Sequence, residues 1–439
     1  MVKLADYKER TRDKAIEKMP SPGKAYIPLS QHTGKPCTAQ VKIGDSVLLG
    51  QRIASSQAQI YAPIHASVSG KVVAIEDWPH PVSGRGKAIV IENDGLDRPE
   101  ATGHRSQEEI ERLTPDEIRK IVFEAGIVGL GGAAFPTHIK LTPPQPVDTL
   151  LINGAECEPF LTADYRLMLE KTQEIIKAVE LLGKCLGAKE VYLAIEDNKP
   201  EAVEKFRSHN TKFNGSTKLT IDTERSRSVK IKVLKSYYPQ GGEKQLIKNI
   251  LGKEVPSGKL PFDIGVVVQN VATVFAVYEA VYLRKALYER VVTVTGSCLS
   301  HPKNLLVRIG TPIKDLIDFC GPLTQEPAKI VIGGPMMGIA QFSTDTPVIK
   351  STTGVILFNE KEAKAVEESF CIRCGNCVKE CPVGLMPCLI NLAAEKEMWL
   401  EAKKYGLLDC IECGLCSYVC PANRRIIQTI KRAKLEVGK

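Results

Sequence analysis

Short β-prone runs broken by glycine turns occupy the first organised stretch of the chain. Runs at 39–43, 46–49, 66–74 and 88–91 alternate with turns at Gly44, Gly50, Gly70 and Ser83-Gly-Arg-Gly86, which predicts a small β unit over about 35–93. A polar linker at 97–107 follows, and then the pattern changes. Thr114-Pro-Asp-Glu117 offers a cap, a proline at the first helical position and acids near the helix N-terminus, so a helix begins there and ends at Gly126. Apolar runs at 147–152, 190–195 and 229–234 read as buried strands, a helix over 164–184 lies between the first two, and 266–273 supplies another strand end. This is α/β alternation. Residues 291 to about 342 return to a small β-rich unit with a short helix after Pro312. No stretch reaches the ~18 clean apolar residues of a spanning helix. The nearest, 264–283, is interrupted by Gln269, Asn270, Thr273 and Glu279 and reads as a strand leading into a helix.

Length and composition change this picture little. At about 150 residues per domain, 439 residues predict roughly three domains, and 43% apolar with 25% charged residues excludes wholesale disorder, a collagen-like chain and a coiled-coil rod. Charge is more informative once it is placed. The excess of 59 basic over 51 acidic residues comes from the two ends: residues 1–24 carry seven Lys or Arg against four acids, and 424–439 carry six against one. The formally neutral middle demands no duplex-binding face, so no nucleic-acid partner is expected. Basic ends suit an anionic partner or a membrane surface, and equally a plain solvated surface. The charged, interrupted first residues do not read as a signal peptide. Nine of the 14 Cys fall between Cys371 and Cys420, which argues for reduced thiolates holding metal in the cytosol.

The phrase Ala62-Pro-Ile-His-Ala-Ser-Val-Ser-Gly-Lys-Val-Val-Ala-Ile75 resembles the barrel-sandwich domains of the biotinyl and lipoyl families. The stretch that could form their exposed tip, Ser55-Ser-Gln-Ala-Gln59, has no Lys to carry a swinging cofactor, so the unit reads as a docking module and His65 as a structural residue. Gly129-Leu-Gly-Gly-Ala-Ala-Phe-Pro-Thr-His-Ile-Lys-Leu141 lets backbone amides approach a phosphate or flat ring, with Lys140 able to neutralise phosphate charge. It matches neither the dinucleotide nor the Walker pattern. Asn153-Gly-Ala-Glu-Cys-Glu-Pro159 stands at the C-terminal end of a strand, where polar groups suit a ligand crevice or simply a capped loop. Tyr237-Tyr-Pro-Gln-Gly-Gly-Glu243 and the Gln269, Asn270, Thr273 cluster add groups able to bond ring edges or ribose hydroxyls. Met336 and Met337 sit at a Gly-Pro turn suited to core or interface packing, and His301 reads as a surface residue.

The strongest chemistry comes last. Cys371-x-x-Cys374-x-x-Cys377-x-x-x-Cys381-Pro recurs as Cys410-x-x-Cys413-x-x-Cys416-x-x-x-Cys420-Pro. In two-cluster ferredoxin spacing, the fourth Cys of each run reaches the other cluster. Cys371, Cys374, Cys377 and Cys420 are therefore expected to hold one 4Fe-4S cluster, and Cys410, Cys413, Cys416 and Cys381 the other; structural zinc is the competing reading. Cys388, Cys37, Cys157, Cys185, Cys298 and Cys320 read as packed thiols. Two clusters of formal charge about 2− each would lower the net +8 to roughly +4.

Taken in order, these motifs resemble the C subunit of the Rnf/Rsx ion-translocating electron transport complexes, whose central region is similar to the NADH- and FMN-binding subunit of respiratory complex I. The resemblance covers essentially the whole chain from Ile27-Pro-Leu-Ser-Gln-His32 onward. It implies a multidomain α/β and β architecture: an N-terminal arm (1–32), an unmodified barrel-sandwich domain (33–95), an α/β FMN- and NADH-binding domain (108–285), a soluble-ligand-binding β-grasp domain (289–345) and a helical two-cluster ferredoxin-like domain (360–432). It further implies non-covalent FMN near Gly129, Gly131, Gly132 and Lys140, a flavin and nicotinamide site lined by Asn153, Glu156 and Glu158, a nucleotide loop of Tyr238, Gly241, Gly242 and Glu243, and a pocket completed by Gln269, Asn270 and Thr273. Glu156, Glu158 and Glu243 would be the catalytic-site acids. One departure stands out: the related complex I protein has two adjacent acids after the loop glycine, whereas here Gly242 is followed by Glu243 and then Lys244. The implied protein is peripheral, on the cytoplasmic face of the membrane, bound to the other members of the complex and especially the iron-sulfur B subunit, exchanging electrons between NADH and ferredoxin. A cobalamin reductase-type flavoprotein and a non-flavin ferredoxin-like relay or scaffold are the alternatives.

Overall fold

The structure, a computed structural model, describes residues 2–213, 229–364 and 366–438. Near the N-terminus, Lys24–Pro28, Gly84–Asn93, Gly70–His80 and Ser46–Val47 form one antiparallel sheet in that order, and Thr38–Ala39, Arg52–Ser55 and Ile64–His65 form a second. Ile27, Ile53, Ile64, Val72, Ile89 and Ile91 fill the space between them. The long hairpin extends past the apolar runs because residues 76–80 pair with 84–88 through their backbones. At its base a glycine is required: Gly70 has φ +153°, and a Cβ there would lie 1.9 Å from the Glu92 carbonyl oxygen.

The first 32 residues are not a free arm. Ile16–Lys18 adds a parallel strand to the β-grasp sheet beside Lys303–Arg308, and Lys24–Pro28 belongs to the barrel-sandwich. Met19 and Ile27 anchor these two segments in different cores.

The central domain is a parallel sheet in the order Lys230–Leu234, Glu190–Glu196, Thr149–Gly154, Val266–Asn270. The helix Pro115–Glu124 starts as the sequence predicts, with Thr114 and Glu117 in a reciprocal capping box. The expected single helix over 164–184 is instead two, Ala163–Glu170 and Thr172–Leu186, broken at Lys171, whose φ of −125° is not helical. From Thr149–Gly154 the chain moves outward to one side and then returns to place Val266–Asn270 on the other. The carboxyl ends of these two strands therefore form the topological switch point, where α/β sheets bind ligands.

The β-grasp domain has a six-stranded sheet, Ile16–Lys18, Lys303–Arg308, Glu289–Gly296, Gly354–Phe358, Lys329–Ile332 and Ile339–Ala340. It runs past residue 345 because Gly354–Phe358 pairs with strands on both sides. The C-terminal region is helical, and the Cys repeat is also a backbone repeat. Arg373 and Glu412 (both φ +58°), Gly375 and Gly414 (+78° and +79°), and Gly384 and Asn423 (+70° and +50°) occupy equivalent left-handed positions. The helices Pro387–Glu395 and Ile426–Val437 pack around Ile390, Ile427 and Ile430. Among the described residues no helix is long and apolar enough to cross a membrane.

Candidate functional site

Asn153 and Asn270 are register partners at the carboxyl ends of the two switch-point strands. Asn270 caps the helix Val271–Leu283, its Oδ1 accepting from the amides of Ala272 (2.9 Å) and Thr273 (3.3 Å), while its Nδ2 donates to Asp164 Oδ2 at 2.7 Å. Asn153 donates to the Gly241 carbonyl at 2.8 Å and accepts from the Ala155 amide at 3.0 Å. Both side chains are thus spent on fixing loops. What the loops offer is backbone. Leu130 N–H is held by Thr273 Oγ1 at 2.8 Å, Gly131 packs against Asn270, and Gly132 has φ +106° with open space where a Cβ would stand. The amides of Gly131, Gly132 and Ala133 donate to no acceptor among the described residues. Lys140 Nζ lies nearby in the fold, donating to Glu243 Oε1 at 2.6 Å and to the Val268 carbonyl at 3.2 Å. Gln269 is buried with its Nε2 unpaired. Successive free amides, a lysine and an unsatisfied amide donor form a set that fits an anionic phosphate attached to a ring with acceptor edges.

The three acids have different settings. Glu156, 8% exposed, spends its carboxylate on the amides of Asp164 (2.9 Å) and Tyr165 (3.3 Å) at the start of Ala163–Glu170. The Lys8 ammonium bonds the Glu156 backbone carbonyl and, at 2.7 Å, that of Leu161. Glu158 accepts from the amides of Met337 (2.9 Å) and Met336 (3.1 Å) across the boundary with the β-grasp domain, and burial pushes its pKa up to about 7. Glu243 is paired with Lys140. Tyr238 is 2% exposed and donates its hydroxyl to the Cys413 carbonyl at 2.7 Å, so it is a buried joint to the Cys repeat. Gly241 closes against the Ala155 carbonyl, which a Cβ would approach to 2.7 Å, and its amide donates to Cys157 Sγ at 3.4 Å. Burial holds that thiol protonated, pushed up to about 12.

Sequence reasoning did not single out Asp164, the partner of Asn270, whose carboxyl is pushed up to about 7 by burial and then by neighbouring Glu156. It read only as the start of a helix, and no local signal marks its partner 106 residues away.

Cys381, Cys410, Cys413 and Cys416 line one small hollow together with Pro382, Leu385, Ile390 and Ile430. This is the set that the spacing assigns to one cluster. Burial in this apolar lining pushes the thiol of Cys413 up to about 11 and that of Cys416 to about 12, so thiolates there require a cationic centre to hold their charge. Among the described residues no three or more His, Cys, Asp or Glu side chains gather as a single-ion site. A four-iron cluster asks something different, since each thiolate takes its own corner. Cys377 and Cys420 are half-buried, while Cys371 and Cys374 are exposed in a stretch without regular structure. Cys388 lies beside Cys377, whose thiol is raised to about 11 by burial and by that neighbour. The second Cys run also packs into the rest of the molecule: Tyr238, Cys413 and Leu415 form a small core with Val2, Leu4, Cys157 and Met336.

Four family models match the chain in succession: the RnfC barrel sandwich hybrid domain over residues 2–96, the Nuo51 FMN-binding domain over 122–279, the SLBB domain over 291–340 and the 4Fe-4S dicluster domain over 363–421. The C subunit of the proton-translocating ferredoxin:NAD(+) oxidoreductase complex of Clostridium ljungdahlii is 46% identical, over 98% of this chain and 92% of that protein. Its counterpart in the Na(+)-translocating ferredoxin:NAD(+) oxidoreductase complex of Acetobacterium woodii is 42% identical over 98% and 94%. The counterpart in the ion-translocating oxidoreductase complex of Rhodobacter capsulatus is 42% identical over 98% and 80%. An NAD+-reducing [NiFe]-hydrogenase in its H2-reduced state shares the fold, with TM-score 0.52 at 16% identity over 77% of this chain and 68% of that one. With these domains in this order, and that identity over nearly the whole length, the chain belongs to the RnfC family, the C subunits of ion-translocating oxidoreductase complexes.

Proposed function

We propose that the chain is the NADH-side component of a membrane-bound ion-translocating complex, oxidising NADH or reducing NAD+ with non-covalent FMN and relaying electrons through two 4Fe-4S clusters toward ferredoxin. It sits peripherally on the cytoplasmic face and docks on the iron-sulfur B subunit. The observation that carries this reading is the Tyr238 hydroxyl bound to the Cys413 carbonyl. It ties the loop of Gly241, Gly242 and Glu243 directly to a candidate cluster ligand.

When bound, FMN exchanges an electron pair with nicotinamide and single electrons with iron-sulfur centres. The chain's own residues supply binding and exclusion of water. The free amides of Gly131, Gly132 and Ala133 would hold the phosphate, with the Lys140 ammonium, paired with Glu243, as the cation on that side of the site. Asn153, Asn270 and Thr273 brace the loops around the ring. Tyr238, Met336 and Leu415, with Val2 and Leu4, pack with Cys413 in one apolar cluster that joins the Tyr238 loop to the second Cys run. Cys371 and Cys374, being exposed, turn the other set toward the surface, where a partner protein can approach.

The test is anaerobic purification with measurement of iron, sulfide and FMN, followed by NADH addition while flavin and cluster absorbance are recorded. Bleaching of both is expected. Intact clusters with bound FMN and no response to NADH would overturn the reading.

A further inference from the structure

The Gly-rich loop is gripped from behind by two other domains. Thr33, in the barrel-sandwich, donates its hydroxyl to the Ala133 carbonyl at 2.8 Å and its amide to the Ala134 carbonyl at 3.0 Å. Arg290, on the strand Glu289–Gly296 of the β-grasp sheet and 4% exposed, donates to the Leu130 carbonyl at 3.2 Å and to the Lys350 carbonyl. Inside the α/β domain, Thr273 takes the Leu130 amide.

These bonds share a direction. The Leu130 carbonyl and the Gly131 amide belong to one planar trans peptide and point opposite ways. An arginine that captures the carbonyl therefore aims the Gly131 N–H away from itself. Thr33 holds the loop at its exit, where its two bonds anchor the peptides on either side of Ala134, so Gly132 and Ala133 are bounded by fixed peptides at Leu130–Gly131 and at Ala133–Ala134. The carbonyls of Leu130, Ala133 and Ala134 are all occupied, while the amides of Gly131, Gly132 and Ala133 meet no acceptor among the described residues. Three glycines in four residues would otherwise leave the loop many conformations, and binding would have to order it. A loop already held with its donors outward binds an anion without that cost.

We propose that Thr33 and Arg290 are positioning residues for FMN, and that the barrel-sandwich and β-grasp domains serve the flavin site by fixing the Gly129–Ala134 loop with its amides toward the phosphate. This rests on the assignment of FMN to that loop. It also gives the barrel-sandwich, which lacks an attachment lysine, a task within this chain.

The experiment uses the full-length protein with its clusters intact, stripped of flavin, and titrates FMN by quenching of its fluorescence. Thr33→Val removes one hydroxyl of an exposed residue and keeps the backbone amide, so FMN affinity is expected to fall roughly fivefold, the size of one hydrogen bond. Thr33→Ser restores the donor and is expected to bind within about twofold of the parent. Arg290→Lys loses the planar fork that serves two carbonyls, and its affinity is expected to fall further, by about tenfold. Iron content and melting temperature of both Thr33 variants stay at the parent values. FMN affinity unchanged in Thr33→Val, or lost equally in Thr33→Ser, would overturn the proposal. A parent protein that takes up no FMN would instead bring down the flavin assignment itself, and this inference with it.

Discussion

Glu158 keeps its proton to higher pH than an ordinary carboxyl at the seam between the α/β and β-grasp domains. Burial is the largest influence and raises its pKa from 4.5 to about 7, against two backbone amides that favour the carboxylate. Between those two pH values the unfolded chain gives up a proton that the folded chain keeps, so this residue makes stability fall as pH rises from about 4.5 to 7. Glu158→Gln should flatten that slope. Melting temperatures at pH 5 and pH 7.5 check it: the variant-minus-parent difference should become more positive at the higher pH, and a constant difference would refute it. Tyr238 makes a second residue-level case. Tyr238→Phe leaves the buried Cys413 carbonyl without its donor, which should cost about 1–2 kcal/mol. A melting temperature a few degrees lower, with unchanged iron content, is the expected result.

At the scale of elements, the doubled Cys run gives two nearly identical backbones in unlike surroundings. Gly375 and Gly414 have the same left-handed φ, so an alanine at either is strained to a similar degree. Their neighbours differ. A Cβ on Gly375 meets nothing within 4 Å, whereas one on Gly414 would lie 2.8 Å from the Met336 carbonyl of the β-grasp domain. Gly414→Ala should therefore lower the melting temperature and iron retention distinctly more than Gly375→Ala; equal losses would mean that the docking contact adds nothing. The repeat was legible in the sequence because cluster ligation forces residue types to recur at fixed spacing, and the Thr114–Glu117 cap was legible because all its partners are local. The strand Ile16–Lys18 was not: three residues with little apolar character become a strand only by pairing with 304–306. Neither was the break at Lys171, which no Gly or Pro marks. The candidate site divides in the same way. Its glycines and strand-end polar residues announced themselves, while Thr33, Asp164 and Arg290 act through partners more than 90 residues distant and leave no local pattern.

Over the whole molecule, three domains meet at one buried lysine. Lys350 donates 2.7 Å bonds to the carbonyls of Pro63 in the barrel-sandwich and Gly126 in the α/β domain, while its own carbonyl receives Arg290. Among the described residues no carboxylate pairs with its ammonium, and burial lowers its pKa from 10.5 to about 7. The fold here prefers the neutral amine. Between pH 7 and 10.5 the unfolded chain binds a proton that the folded chain does not, so this group makes stability rise with pH through that window. Lys350→Met removes the titration along with the two hydrogen bonds. Its deficit relative to the parent should therefore widen as pH goes from 7 toward 10, read as the difference in melting temperature by circular dichroism. Comparing the two proteins at each pH cancels the titrating groups that do not interact with Lys350; Cys37, which does, is held protonated by burial, its pKa pushed up to about 11. A deficit independent of pH would show that Lys350 stays charged in the fold, held by its carbonyl partners alone. Because Gly126 ends the helix that leads into the Gly-rich loop, and Arg290 reaches that loop directly, the same variant should also loosen the loop. FMN affinity should fall together with stability, linking the joint of the three domains to the site they enclose.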